Sequence, residues 1–236
     1  MKKYLEETEL VNFTADCISK LIEKKQWRNL NDYNKILKIY NFVRDDIAFG
    51  YNEDDSIPAS KVLADGYGQC NTKGTLFMAL LRSVGVPCRI HGFTIDKKLQ
   101  KGAMKSICYS LAPKEIVHSW VEIYYNSQWY NLEGFILDIS YLNKLQSKFS
   151  DCTGSFCGYG VATKDFQKPI IDWNENDTYI QSQGIVKDFG VFYNPDEFFK
   201  KHSQAINSIK RFLYRNFVRH LMNRNIKNIR NYEHKI

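Results

Sequence analysis

Apolar residues recur at helical spacing over residues 7–26, where Leu10, Phe13, Cys17 and Leu21, flanked by Ile18 and Ile22, share a face. A second helix follows from Asp32, a suitable N-cap, with Ile36, Leu37, Ile39, Tyr40 and Val43 on its buried side. Gly50, the acidic run Glu53, Asp54, Asp55 and then Pro58 mark a loop. A short helix at 60–64 and a glycine-bearing turn lead to a helix that starts near Asn71. Its Leu76, Phe77, Met78, Ala79, Leu80, Leu81 and Val84 leave little polar surface, so the rest of the fold must enclose it. Gly85 suits the C′ position of that helix, and Pro87 prevents its continuation.

Beyond Pro87 the pattern becomes strand-like. "CRIHGFTI" is rich in β-branched and aromatic residues. "IVHSWVEIYYNSQWYNLEGFIL" alternates as two strands, 117–125 and 128–132, about a turn at Asn126 and Ser127. The polar segment between them, "KKLQKGAMKSICYSLAPKE", is expected to form a loop with a short helix. Residues 134–199 show no clear period apart from a short structured segment at "FGVFYNPDEFF". Over residues 205–228, Ile206, Ile209, Leu213, Phe217 and Leu221 follow one another at helical steps, while Arg211, Arg215 and Arg219 step by four along another face. That spacing predicts a helix docked on the body through its apolar row.

Composition narrows the class. The chain of 236 residues is 44% hydrophobic and 14% aromatic, enough for a real core. No apolar run reaches the ~18 residues of a membrane span, so no integral membrane segment is expected. "MKKYLEETELVNF" carries charge where a signal peptide needs an apolar stretch, and a cytoplasmic location is expected. The six cysteines are too few for a disulfide framework and read as thiols, with Cys17 and Cys88 as small core residues. Cys152 and Cys157 lack the second pair of a zinc site, and the acidic run lacks the Gly and terminal Glu of an EF-hand loop. No cofactor or metal is expected.

Charge is divided along the chain. The net +7 comprises +9 from residue 200 onward, where only Glu233 opposes ten Lys and Arg, and −2 over residues 1–199. Residues 1–199 therefore read as the main domain and 200–236 as a basic amphipathic helical tail. Besides a solvated face, such a tail suits an anionic partner: nucleic acid, an acidic protein or a membrane surface.

One cysteine stands apart. In "ADGYGQCNTKGTLFMALL", Gly66, Gly68 and Gln69 lead to Cys70 at the start of the enclosed helix. Unpaired N–H groups and the positive dipole end favour an anion there, and the same groups can donate to an oxyanion. A thiolate nucleophile needs a base, and the base an orienting group. His202, His220 and His234 belong to the basic tail, whereas His91 and His118 lie on strands after the Cys70 helix. His118 is the better placed, because the hairpin returns Glu133 toward its strand.

"GYGQCNTKGTLFMALLRSVGVPCRIHGF" followed by "HSWVEIYYNSQWYNLE" resembles the core of the transglutaminase-like superfamily, a branch of the papain-like cysteine-nucleophile fold. "KILKIYNFVRDDIAFGY" resembles the segment that precedes this core in bacterial members. Similarity covers about residues 31–137, with 138–199 as a C-terminal elaboration. The resemblance implies an α+β fold in which the helix bearing the nucleophilic Cys70 packs on an antiparallel sheet. It makes His118 the general base and Glu133 the third member, at a position that usually holds aspartate. Asp138 is the nearest alternative carboxylate, and the motif alignment favours Glu133. Gln69 precedes the nucleophile as glutamine does in animal transglutaminases, which makes Gln69 and Gly68 candidates for oxyanion or substrate binding. Trp120 and Trp129 are expected to pack beneath the hairpin.

The implied reaction is attack on a carboxamide or peptide carbonyl of a protein or peptide substrate through a thioester, resolved by an amine in a transglutaminase or by water in a peptidase or deamidase. The alternative is an inactive binding module that uses the basic tail.

Overall fold

In the helix Cys70–Ser83 every residue from Cys70 to Arg82 is buried, and the other elements pack around it. The structure, a computed structural model, describes residues 1–104, 109–110, 112–204 and 206–231. Part of the polar segment before Pro113, together with Ala205, Glu233, His234 and Lys235, lies outside the described residues.

Helices α1 (Asp16–Lys25), α2 (Asp32–Asn41) and α3 (Ala59–Asp65) precede α4 (Cys70–Ser83) and pack on it, and a π turn, Phe42–Asp46, extends α2. A two-residue parallel pairing of β1 (Ala48–Phe49) with β2 (Tyr67–Gly68) fixes the approach to α4. The chain continues through β3 (Cys88–Asp96), β4 (Glu115–Tyr125), β5 (Gln128–Leu132), α5 (Ile139–Lys148), the hairpin β6 (Phe156–Gly158) and β7 (Val161–Thr163), then β8 (Ile185–Phe192) and α6 (Pro195–Lys201). Strands β5, β4, β3 and β8 form one antiparallel sheet in that order, and α4 packs against β3 and β4. The last elements are α7 (Ser208–Leu213), a π turn (Tyr214–Val218) and α8 (Arg219–Arg230). Among the described residues no helix is long and apolar enough to cross a membrane. The architecture is α+β, with a cysteine-bearing helix against an antiparallel sheet.

The expected hairpin is present. Asn126 and Ser127 take φ of 47° and 66°, the left-handed pair that a two-residue turn between twisted strands requires. The first helix differs from its expected span, because residues 7–15 are irregular. There Glu7 accepts from the Thr14 N–H (2.9 Å) and hydroxyl (2.7 Å), and Asp196 accepts from the Leu10 N–H (3.0 Å). Side chains that bond to nearby backbone in this way compete with the helix ladder. Cys17 is exposed rather than in the core, since Ile18 and Ile22 turn inward one step along, while Cys88 is buried.

The C-terminal helix also departs from its expected packing. Met222, Ile226 and Ile229 face the body, and the row Ile209, Leu213, Phe217, Leu221 is exposed. Hydrophobic spacing identifies a helix with an apolar stripe, but two stripes are present here, and only the contacts decide which is covered.

Candidate functional site

The turn before α4 is held by a small polar cluster. Asn52, fully buried, donates from Nδ2 to Asp65 Oδ2 (2.9 Å) and the Tyr67 carbonyl (3.1 Å), and accepts at Oδ1 from the Thr72 hydroxyl (2.6 Å). Gln69 is the N-cap, in a reciprocal capping arrangement with Thr72. Its Oε1 also accepts from the Asn52 N–H (3.0 Å), and its Nε2 donates to Asp55 Oδ1 (3.0 Å). Gly68 has no room for a side chain: a Cβ would come within 2.6 Å of Thr72 Oγ1. Gly66, at φ +70°, is the left-handed cap of α3. Both glycines thus have roles in shaping the turn itself.

Cys70, 9% exposed, opens the first turn of α4, where N–H groups have no intrahelical acceptor. The next residue locks the helix to the sheet. Asn71 donates from Nδ2 to the Val117 carbonyl (3.1 Å) and accepts at Oδ1 from the Ser119 hydroxyl (2.8 Å). It therefore grips β4 on both sides of His118.

His118 and Glu133 are wholly buried, and His118 Nε2 lies 2.9 Å from Glu133 Oε1. The other carboxylate oxygen accepts from three consecutive backbone N–H groups, of Ile180 (2.8 Å), Gln181 (2.8 Å) and Ser182 (3.0 Å). A buried carboxylate is tolerated only with such partners. Burial alone would lower the His118 pKa, but the charge and hydrogen bonding of Cys70 and the Glu133 carboxylate outweigh it and push it up to about 10. With Nε2 taken, the thiol acts on the ring through Nδ1. Nδ1 itself has no hydrogen-bond partner in the structure. Loose geometry of this kind is common before substrate arrives.

The structure thus brings Cys70, His118 and Glu133 together, with Gln69 and Gly68 immediately before the thiol. Asp138 is elsewhere: it pairs with Arg230 and accepts from the Phe49 N–H (2.8 Å). His91 lies between Glu122 and Asp188, 2.8 Å from each. Trp120 packs on Phe93, ring centroids 4.1 Å apart, and donates to Asn131 (3.1 Å), while Trp129 carries the Arg89 guanidinium over its ring.

Cys70 opens onto a cavity of about 380 Å³, of ordinary size for a ligand site. Its walls are largely apolar, with Tyr51, Val117, Phe199, Tyr214 and Met222 among them. Asp55, which accepts from Gln69 beside the thiol, is half-buried, and burial raises its pKa against the opposing hydrogen bonds from Gln69 and Asn71. Sequence reasoning missed Asp55, which looked like part of a solvated run, and Asn52 and Asn71, polar residues whose importance lies in long-range bonds. It also missed the 180–182 backbone, which no side-chain pattern announces.

The helix-borne thiol, the strand-borne imidazole and the antiparallel sheet define a cysteine-nucleophile enzyme fold. Residues 21–134 match the sequence model of the transglutaminase-like superfamily. No curated protein matches the chain. A solved structure of a candidate cysteine protease from Cytophaga hutchinsonii aligns with it at 14% identity and a TM-score of 0.47. The alignment covers 82% of this chain and 47% of that one, so this chain spans about half the length of that protein.

Proposed function

We propose that the protein is a thiol acyltransferase or amidohydrolase whose catalytic residues are Cys70, His118 and Glu133. The observation that carries this reading is the saturated Glu133 carboxylate, one oxygen on His118 Nε2 and the other on three backbone amides. A carboxylate so held fixes the ring and its tautomer, leaving Nδ1 for the sulfur.

The Cys70 sulfur attacks the carbonyl carbon of a carboxamide or peptide bond, and the oxyanion is stabilised by N–H groups of the first turn of α4. His118 gives the Nδ1 proton to the leaving nitrogen, the C–N bond breaks, and a thioester remains on Cys70. An amine or water then attacks the thioester, giving its proton to Nδ1 as the C–S bond breaks. Gln69 and Gly68 shape the turn that presents the sulfur, and the apolar cavity receives a protein or peptide side chain.

Iodoacetamide labelling tests the reading. At neutral pH Cys70 is expected to react ahead of the exposed Cys17 and Cys157, despite being nearly enclosed, and His118→Ala to abolish that advantage. Slow, uniform labelling of all thiols would defeat the proposal. Incubation with a glutamine peptide and a fluorescent primary amine then separates transfer from release of ammonia.

A further inference from the structure

We propose that the outer face of the C-terminal helix, Ser208–Arg230, docks on an anionic lipid surface. The inner face of this helix is fixed to the body. Asn223 exchanges hydrogen bonds with the Tyr51 backbone (2.7 and 3.0 Å), Asn225 donates to the Gly102 and Ala103 carbonyls (2.7 and 2.9 Å), and Arg230 pairs with Asp138. The orientation of the helix is therefore set, and its outer face cannot roll inward.

That face is apolar. Ile209, Phe212, Leu213, Phe217 and Leu221 are 72%, 61%, 45%, 57% and 58% exposed. Four of them follow at steps of four, a row that the π turn Tyr214–Val218 keeps in line where a pure α-helix would drift. Scattered exposed apolar residues are ordinary, whereas a contiguous row of large ones marks an interaction surface.

Charge identifies the occupant. From His202 to Asn231 the sequence has no Asp or Glu. Arg215 pairs with Asp54 and Arg219 reaches Tyr67, but Lys210, Arg211, Arg224 and Lys227 are exposed without a side-chain partner among the described residues. A nucleic-acid backbone would satisfy these cations but gives Ile209, Leu213 and Leu221 nothing to bury against. A second copy of the chain would set the same cations against one another, with no carboxylate on the face to meet them. An anionic bilayer supplies both an apolar layer for the row and a charged surface for its flanks.

Docking also has a geometric consequence. Tyr214, Val218 and Met222 of the same helix line the Cys70 cavity, and Leu213 and Phe217 reach it, so a lipid surface would lie beside its mouth. The docking proposal does not rest on catalysis by Cys70.

Co-sedimentation of the full chain with vesicles is the test, using phosphatidylcholine alone and phosphatidylcholine with about 30% phosphatidylserine. Binding is expected only to the anionic vesicles and to weaken at high salt. Phe212→Ser with Leu221→Ser is expected to reduce partitioning by about tenfold or more per residue, because each buried apolar side chain is lost. Both positions face outward, so the melting temperature should hold, and Cys70→Ala should bind as the parent does. Failure to sediment with anionic vesicles at low salt overturns the proposal. So does undiminished binding by the double variant, which would mark a purely electrostatic polyanion site. A dimer in sedimentation velocity that the double variant dissolves, in place of vesicle binding, would assign the face to a second copy and equally overturn it.

Discussion

Asn71 and Ser119 hold the cysteine helix to the histidine strand: the Ser119 hydroxyl donates to Asn71 Oδ1 at 2.8 Å, one residue beyond Cys70 and one beyond His118. The same carboxamide donates to the Val117 carbonyl at 3.1 Å, so the relation of thiol to imidazole is set by one side chain that is itself buried. Asn71→Ala is expected to cost about 1–3 kcal/mol, because it leaves buried polar groups on β4 unpaired. It should also slow Cys70 alkylation, and Asn71→Asp, which keeps the acceptor for Ser119 but sets a buried carboxylate oxygen against the Val117 carbonyl, should cost at least as much. Denaturant titration with a parallel labelling rate checks both effects. An Asn71→Ala protein that labels at the parent rate would show that the strand holds its place without this clamp.

Glu133→Gln asks whether the carboxylate acts through its charge. Its shape is retained, but a single oxygen is left where the two carboxylate oxygens met an imidazole on one side and three N–H donors on the other. One amide end must present its NH₂ to a donor or turn away from His118. The expected result is a loss of about 3 kcal/mol, in the range for breaking one partner of a buried pair. The preferential labelling of Cys70 should be lost as well. Glu133→Asp should retain the charge but fail to span from His118 to the 180–182 backbone, with an intermediate loss. Equal stability of Glu133→Gln and the parent in urea would refute this account.

The glycines before Cys70 separate two structural costs. Ala at Gly68 would press on Thr72 Oγ1 at 2.6 Å, Lys73 Cγ at 3.0 Å and Asn52 Oδ1 at 3.2 Å, all within the cluster that shapes the turn. Gly68→Ala is therefore expected to cost about 1–3 kcal/mol by overpacking and to slow Cys70 labelling. At Gly66 a Cβ meets nothing within 4 Å, and only the backbone, at φ +70°, resists. Gly66→Ala should cost about 1 kcal/mol and leave labelling unchanged. Thermal melts and labelling rates measured together distinguish the two, and a Gly68→Ala protein that reacts normally would mean that the turn can shift without moving the thiol.

Much of this arrangement was legible from residue order. The pairing of Cys70 with His118 rests on the resemblance to the transglutaminase-like superfamily, whereas the apolar run after Asn71 specifies an enclosed helix and the Asn126–Ser127 turn a hairpin that returns Glu133 toward the His118 strand. Those features depend on local periodicity and turn chemistry, which a sequence displays directly. The support around them does not work locally. Asn52 bonds to Asp65 and Thr72, Asp196 holds the Leu10 backbone, and the Glu133 carboxylate is satisfied by main-chain groups 47 to 49 residues away. Backbone donors carry no residue-type signature, which is why the stretch around Ile180 read as featureless. The C-terminal helix failed for a different reason, since two apolar stripes satisfied the same periodicity and only one of them found a surface.

Stability against pH should reveal two buried groups that conceal each other. His118 has its pKa raised from the ordinary 6.5 to about 10, so between those values the folded chain keeps a proton that the unfolded chain has released. Its contribution is complete below about pH 6.5 and is lost as pH rises through about 10. Lys73 behaves in the opposite sense. Burial lowers its pKa from 10.5 to about 7, although Nζ donates to the Arg44 (3.1 Å) and Ile136 (3.0 Å) carbonyls. Between about pH 7 and 10.5 it is the unfolded chain that holds the extra proton, and stability grows with pH across that window. From about pH 7 to 10 the two slopes oppose each other, each on the order of 1 kcal/mol per pH unit, and the parent protein should show little net change from this pair. Lys73→Met removes the rising slope, so its stability should fall with pH relative to the parent. A constant offset of about 1–3 kcal/mol should accompany that fall, because two carbonyls lose their donor. His118→Asn removes the falling slope, and its stability should rise relative to the parent over the same range. Urea denaturation at pH 7, 8 and 9 measures all three proteins. Variants whose stability runs parallel to the parent would show that neither group changes its protonation between the folded and unfolded chain.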